Sequence, residues 1–495
     1  MSKKQRPVEG SSRELDRRAV LKGFAGVAAF AALPLALDAC SSGSGGAGTT
    51  GAGTSGPGAS GTGSSPASSA GGGTSSAAGG TGSSVTAPSA SASGGGGASG
   101  SVSVPKVSGT LTIGSNYSDA GVKKAFGDVA TAFGNASGAS VTVNTVDHNT
   151  FQNKIQQYLQ GTPDDVFSWF AGYRMQFFAA QGLVSPIDDV WDKIGGNFSD
   201  AAKAVSKGAD GHYYFVPIYN YPWVMNYRKS VFDEHGYQIP ATWDDLIALC
   251  EKMKTDGLVP ISWTDKDGWP AMGTFDILNM RMNGYQFHVD LMAHKESWAD
   301  PKVVAVFDQW RKLTPYYQTG ANGRTWEEAA QDLQNKKTGM MFIGAGQAGQ
   351  QFSKENLPDL HFFPFPAINS QYGTDSIDAP MDGFMMSKAP KNKEAATAFL
   401  EFLGTPHAES IYLASDPTDV GVATDYDQST YNALQKASAE LIGKTAHIAQ
   451  FLDRDTRPDF AYPIVQNALQ SFITNQDSQA VCQQLETQAK AVFAS

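Results

Sequence analysis

Tyr219, Asn220, Tyr221, Pro222 and Trp223 stand in one short run between two apolar segments, 213–218 and 224–227. Flat aromatic faces beside hydrogen-bonding amides suit a sugar, which has apolar C–H faces and a rim of hydroxyls. An aromatic corner of a core would draw on the same residue types. The run belongs to a longer stretch, 212–250, that continues as strand, helix, proline-containing turn and helix.

Other chemistries find weaker support. The carboxylate pairs Asp188-Asp189, Asp244-Asp245 and Glu327-Glu328 are adjacent in sequence, so their side chains point to different sides. They read as helix N-terminal acids or solvated faces. A carbohydrate-cleaving enzyme built from distant acids would need two carboxylates facing one another across a cleft. The eight histidines show no H-E-x-x-H spacing, and no metal site or cofactor is expected. Residues 344–349, GAGQAG, fit G-x-G-x-x-G after a strand-like run. The next strand-like run, 360–365, leads into Pro366-Ala367-Ile368-Asn369 and not to the acid that would hold a ribose. These glycines are expected to let backbone approach a ligand.

The 495 residues carry a net charge of -11, which argues against nucleic acid or an anionic membrane surface as the main partner. Three unclustered cysteines give no disulfide framework. Cys250 and Cys482 sit in helix-like apolar patterns and read as buried free thiols. One long-range disulfide between them is the alternative.

Residues 1–39 read as an export signal. A basic start with Lys3, Lys4 and Arg6 precedes Arg17-Arg18 and an apolar run over 23–37. That run is short for a membrane span. Arg17-Arg18 before Leu21-Lys22 resembles a twin-arginine signal. Leu37-Asp38-Ala39-Cys40 resembles a bacterial lipobox, with Asp38 an unusual occupant, and implies lipidation at Cys40. Residues 41–104 are almost wholly Gly, Ser, Ala and Thr, without charge. Such a chain cannot bury apolar surface and is expected to be a disordered tether spanning about 45 Å on average. A lipid-anchored protein on the outer face of the cytoplasmic membrane is the implied location.

The remaining residues, 105–495, hold the elements that must position the aromatic run. Strand-like segments at 107–113, 141–143 and 165–169 alternate with helical periodicity at 122–133 and 151–159. This order predicts βαβ units on a parallel sheet, with ligands at the carboxyl ends of the strands, near Asn116, Asp147 and Trp169. Further helices are expected over 241–254, near 277–282 and over 395–403, with Thr242 an N-cap. Strands are expected at 338–343, 360–365 and 383–386. The tail from 431 to 493 reads as mostly helical, broken at 453–458.

Five segments together resemble the large sugar-binding family of extracellular solute-binding proteins of ABC importers, which includes maltose-binding protein. They are Tyr214-Phe215-Val216-Pro217 through Asn226-Tyr227-Arg228 and Phe232, then Gly236 through Pro240, Thr242, Trp243 and Leu246. Pro163-Asp164-Asp165-Val166-Phe167 with Trp169 is the third, and Lys337-Thr338-Gly339-Met340-Met341 through Gly344 the fourth. The fifth is Ala395-Ala396 through Phe399-Leu400, Phe402-Leu403 and Thr405-Pro406. Their order matches across nearly all of 105–495.

The resemblance implies an α/β, two-lobed fold of the periplasmic-binding-protein type, with discontinuous lobes and a central cleft. Lobe 1 would take about 105–220 and 384–422, and lobe 2 about 222–381 and 424–495. Crossings would fall near 219–222, 380–384 and 421–425. It implies capture of a carbohydrate by hinge closure, delivery to a membrane permease, and a monomer without enzymatic activity. A carbohydrate-cleaving enzyme, a binder of another solute and a sensor partner are the alternatives. The cleft residues implied are Asn116, Asp147, Trp169, Tyr219, Asn220, Tyr221, Trp223, Trp269, Gly344, Gln347 and Asp382. Trp169, Trp223 and Trp269 would stack on pyranose faces; Asp147, Asn220 and Asp382 would take hydroxyls. Arg457 and Phe460 are lesser candidates, and Pro222 reads as a hinge stiffener. After Gly344 the family often carries a tryptophan, where this chain has Ala345-Gly346-Gln347. One platform fewer implies a ligand that is smaller, bulkier at that point, or not a typical oligosaccharide.

Overall fold

The computed structural model describes residues 103–494. The signal, Cys40 and the tether up to 102 lie outside the described residues. Among the described residues eleven strands follow in order: β1 Thr110–Ser115, β2 Ser140–Thr145, β3 Val166–Phe170, β4 Val216–Asn220, β5 Trp223–Arg228, β6 Val259–Ile261, β7 Thr338–Gly344, β8 Leu360–Phe363, β9 Ser376–Asp378, β10 Met381–Met386 and β11 His447–Ala449. They form a five-stranded sheet ordered β2-β1-β3-β10-β4, a four-stranded sheet ordered β6-β7-β5-β8, and a small β11-β9 pair. Each large sheet centres one lobe of a two-lobed α/β fold.

In the first lobe β1 runs parallel to β2 and β3, as the alternation of strand and helix requires. The helix Ala120–Ser137 joins β1 to β2 and buries Val122, Phe126, Val129, Ala130 and Phe133, the stripe its periodicity predicts. Phe126 stacks on Phe384 of β10 at 4.6 Å, and Phe133 meets Phe399 at 5.1 Å. Full burial of each such ring contributes roughly 1.5–3 kcal/mol. β3 and β4, buried along their whole lengths, flank β10, which returns antiparallel between them. In the second lobe the helix Trp243–Thr255 starts with a reciprocal cap between Thr242 and Asp245. Its buried Leu246, Leu249 and Met253 face the core.

Among the described residues three segments run between the two lobes. β4 of the five-stranded sheet continues into β5 of the four-stranded sheet through Tyr221 and Pro222. β9 continues into β10 through Ala379 and Pro380. The third passes beside the first: Val420 and Asn220 exchange both backbone hydrogen bonds, at 2.9 and 3.0 Å. Short connections lying side by side in this way can absorb a change in angle between lobes by small backbone rotations.

The expected strand at 213–218 begins later. Tyr213 bridges Lys207, and regular pairing starts at Val216. The C-terminal tail contains the helices Ala433–Lys444, Gln466–Asn475 and Ser478–Phe493, with a one-turn helix Leu452–Asp455 in the break. Cys250 and Cys482 are both free and buried. Among the described residues no helix is long and apolar enough to cross a membrane.

Candidate ligand-binding cleft

The aromatic wall of the cleft starts at Trp223, the first residue of β5 after the crossing. Its ring packs at 4.7 Å from Phe451, 5.6 Å from Phe342 and 6.0 Å, edge to face, from Trp269. Trp269 in turn lies 6.4 Å from Trp326. Trp223 sits against Gly273; a Cβ there would lie 2.5 Å from its ring. Glycine is required at this point because the indole occupies the space of a side chain. Phe451 has φ of +101°, an unfavoured conformation for a residue with a Cβ. The Leu452 N–H that follows donates to Asp276 Oδ2 at 2.6 Å and anchors the turn.

Opposite stands a buried charged network. Arg454 donates to Asp382 Oδ1 at 2.6 Å, and the Tyr219 hydroxyl donates to Asp382 Oδ2 at 3.0 Å. Arg454 also donates to the Tyr221 hydroxyl at 3.3 Å and lies over the Phe170 ring at 4.3 Å. Burial disfavours the Arg454 charge, but Asp382, Tyr221 and Asp453 outweigh it and hold its pKa above the ordinary value. A second pair, Arg174 to Asp453 at 2.8 Å, lies alongside, with the Tyr462 hydroxyl donating to the same Asp453 oxygen at 2.8 Å. Asn116 completes this side. Ser168 Oγ donates to its Oδ1 at 2.6 Å, and its Nδ2 lies 3.3 Å from His148 Nδ1.

The third wall comes from the helix Ala345–Gln350 and the third crossing. Gly346 lets Asp419 come against the helix backbone, where a Cβ would collide with its carboxylate. The glycines of GAGQAG thus admit Asp419 and Thr418 of the same chain. Burial, then Asp416 and Asp382, push the Asp419 carboxyl well above the carboxylate range.

Several polar atoms on these walls are buried without a hydrogen-bond partner: Trp269 Nε1, Gln347 Oε1, Asp419 Oδ1 and Asp453 Oδ1. An unpaired buried polar atom costs about 1–3 kcal/mol. The set places one donor and three oxygens around a cavity of about 80 Å3. At roughly 10–15 Å3 per water, that is room for a handful of hydroxyl-sized groups. Among the described residues no group of three or more His, Cys, Asp or Glu side chains is placed to hold a metal ion.

Seven of the expected residues meet at this cavity: Asn116, Tyr219, Tyr221, Trp223, Trp269, Gln347 and Asp382. Four do not line it. Asp147 is the N-cap of the helix His148–Gln160, its carboxylate bound to Thr150. Trp169 faces Phe178 and Arg174 and borders a separate groove beside the cavity. Asn220 is buried and joins the crossings through its backbone. Gly344 lies behind Gln347 and Tyr221. Arg457 pairs with Asp459, and Phe460 is buried against Trp298 and Phe493.

Arg454, Asp453, Asp419 and Phe451 also line the cavity and are not among the expected residues. The available signal was the charge-dense break at 453–457 directly after the apolar Phe451-Leu452, a poor pattern for a solvated loop.

A two-lobed α/β fold closed on a polar, aromatic-walled cavity defines a solute receptor. The chain belongs to the bacterial extracellular solute-binding proteins, whose family pattern matches residues 115–409. It is an extracellular solute-binding protein of the ABC sugar importers. An uncharacterized ABC transporter extracellular-binding protein of Pyrococcus horikoshii is 26% identical over 300 residues, 58% of this chain and 67% of the relative. A probable sugar-binding periplasmic protein of Rhizobium meliloti is 26% identical over 296 residues, 56% and 69% of the two chains. Among solved structures, the bacterial solute receptor AcbH is 56% identical, with a TM-score of 0.77, covering 78% of this chain and 99% of its own. AcbH is described as having an exclusive preference for β-D-galactopyranose. The maltose-bound MalE3 of T. maritima, 16% identical with a TM-score of 0.66, shares the fold; it covers 78% of this chain and all of its own.

Proposed function

We propose that this protein captures a single pyranose, β-D-galactopyranose, in the closed cleft and hands it to an ABC permease. The observation that carries this reading is the wall of unpaired buried donors and acceptors facing aromatic rings in a space of about 80 Å3. A sugar ring would satisfy the polar atoms with its hydroxyls and stack its C–H face on Trp269 or Trp326. The likeness to AcbH supports galactose as the sugar. Asn116, Asp382, Arg454, Asp453, Gln347 and Asp419 are the proposed hydroxyl partners. Asn220, Trp169 and Gly344 act behind the wall, and Asp147 caps its helix at the cleft mouth.

The protein is proposed to work as a non-catalytic monomer, exported by the twin-arginine route and lipid-anchored at Cys40. The Gly/Ser/Ala/Thr tether would let the receptor reach its permease from that anchor. Isothermal titration calorimetry against galactose, glucose, maltose and raffinose tests the ligand. Galactose alone should bind tightly, with no product formed on long incubation. Preference for an oligosaccharide, or turnover of any sugar, overturns the reading. A lipid-labelled species lost in Cys40→Ser tests the anchor.

A further inference from the structure

The closed cleft brings like charges together at its mouth. Asp119, before the helix Ala120–Ser137, and Asp147, before His148–Gln160, belong to the first lobe. Asp267 in the loop before Pro270–Asn283 and Glu327 in the first turn of Trp326–Gln334 belong to the second. Across the mouth, Asn149 Nδ2 donates to Asp267 Oδ1 at 2.9 Å. Glu327 Oε2 is buried without a partner. The buried Asp265 adds a further acid behind Asp267. Lys266 is the cation that acts on Asp267, and it is exposed. His148 neighbours Asp147 but points its Nδ1 to Asn116.

We infer that lobe closure is coupled to proton uptake by Asp119 and Asp267, which closure brings against Glu327 and Asp147 across the cleft mouth, so that the receptor closes more readily as pH falls. In an open form these groups are separated by the width of the cleft and by water, and repel one another weakly. In the closed form Asp119 and Asp267 lose water and gain like-charged neighbours from the opposite lobe, while Asp147 stays exposed and its hydrogen bonds from Thr150 hold its carboxyl below the ordinary range. Burial first, then Glu327 and Asp147, raise the Asp119 carboxyl to about 6. Burial first, then Glu327, raise Asp267 to about 6 as well. The sign follows from these directions. A group whose pKa is higher in the closed form favours that form below its closed-state pKa and ceases to do so as pH rises through it. Ligand binds the closed form, so its affinity carries the same dependence by linkage. The coupling works whichever solute fills the cavity; only its readout with galactose rests on the proposed ligand.

Two measurements separate the two ideas. Galactose affinity and proton uptake are measured by calorimetry at pH 5.0 and 7.5, in buffers of different ionisation enthalpy. Affinity should be about tenfold higher at pH 5.0, one pKa unit of linkage, with protons taken up on binding near pH 6.5. In the Asp267→Asn, Glu327→Gln variant the pH dependence should shrink at least threefold. Independently, energy transfer between dyes on Lys154→Cys and Gln331→Cys, in a Cys40→Ser background, reports the distance between lobes without ligand. That distance should be shorter at pH 5.0 than at 7.5, and less pH-dependent in the variant. A pH-independent distance, or equal pH dependence in both proteins, overturns the coupling. Failure of galactose to bind at any pH, with a pH-dependent distance, overturns only the proposed ligand.

Discussion

Arg454 Nη1 lies 2.6 Å from Asp382 Oδ1, and the contact joins the lobes. Asp382 sits on β10 of the first sheet. Arg454 sits on the one-turn helix Leu452–Asp455, held to the second lobe through Asp276. Both side chains are over nine-tenths buried. A buried pair of this kind contributes little net stability over an apolar pair, but removing one partner strands a charge.

Arg454→Ala should therefore destabilise the protein by about 3–5 kcal/mol and abolish galactose binding. Asp382→Asn should retain more stability, because the amide oxygen still accepts from Tyr219 or Arg454. Urea denaturation and calorimetry of both variants and their combination measure the coupling. Additive effects would show that the pair does not act as a unit.

Trp223 and Trp269 should separate fold from binding. Trp223 is 2% exposed and fills the space over Gly273, so Trp223→Ala should cost about 3–5 kcal/mol of stability. Trp269→Ala should lower galactose affinity at least tenfold, with a smaller loss of stability. Gly273→Ala should mimic a milder Trp223 defect, by about 1–3 kcal/mol, through displacement of the indole. Thermal melts with and without galactose distinguish these outcomes.

Stability should fall as the solution becomes alkaline. Burial raises Glu409 to about 8, with the Val422 and Ala423 amides acting against it, and burial raises Asp455 to about 7. Groups raised in this way give their full stabilisation below their unfolded pKa near 4 and lose it as pH passes through 7–8. At the acid end the order reverses for carboxyls held low, such as Asp332, where burial opposes hydrogen bonds from Lys337, Gln318 and Arg324 that prevail. Glu409→Gln keeps an oxygen for the Val422 and Ala423 amides. It should remove about 1–3 kcal/mol of the decline between pH 5 and 9, read from urea midpoints.

Cys250 and Cys482 are separate, buried thiols, each pushed up to about 12 by burial. Native protein should leave both unlabelled by Ellman's reagent, while urea should expose both. A native protein that loses stability on reduction would instead indicate a disulfide between them.

The order of strands and helices through 105–495 was legible because periodicity and caps are local. Alternation placed β1 parallel to β2, and Thr242 followed by Asp245 marked a helix start that the capping box confirms. The run from Tyr219 to Trp223 could be recognised as sugar-suited from composition, and it lies at the first crossing and on the cavity wall. Which face each neighbour presents was beyond sequence. Asp147 and Asp382 are both acids beside strands, yet one caps a helix and the other accepts from Arg454, 72 residues away. Trp169 and Trp223 are both strand tryptophans, and only the sheet to which each belongs sends one to the cavity. Arg454, Asp453 and Asp419 reach the site because the C-terminal segments fold back across both lobes. Sequence thus determined the kinds of side chain, their local elements and the family. Tertiary structure alone decided which of them converge, because convergence depends on long-range contacts whose partners are set by packing and not by spacing along the chain.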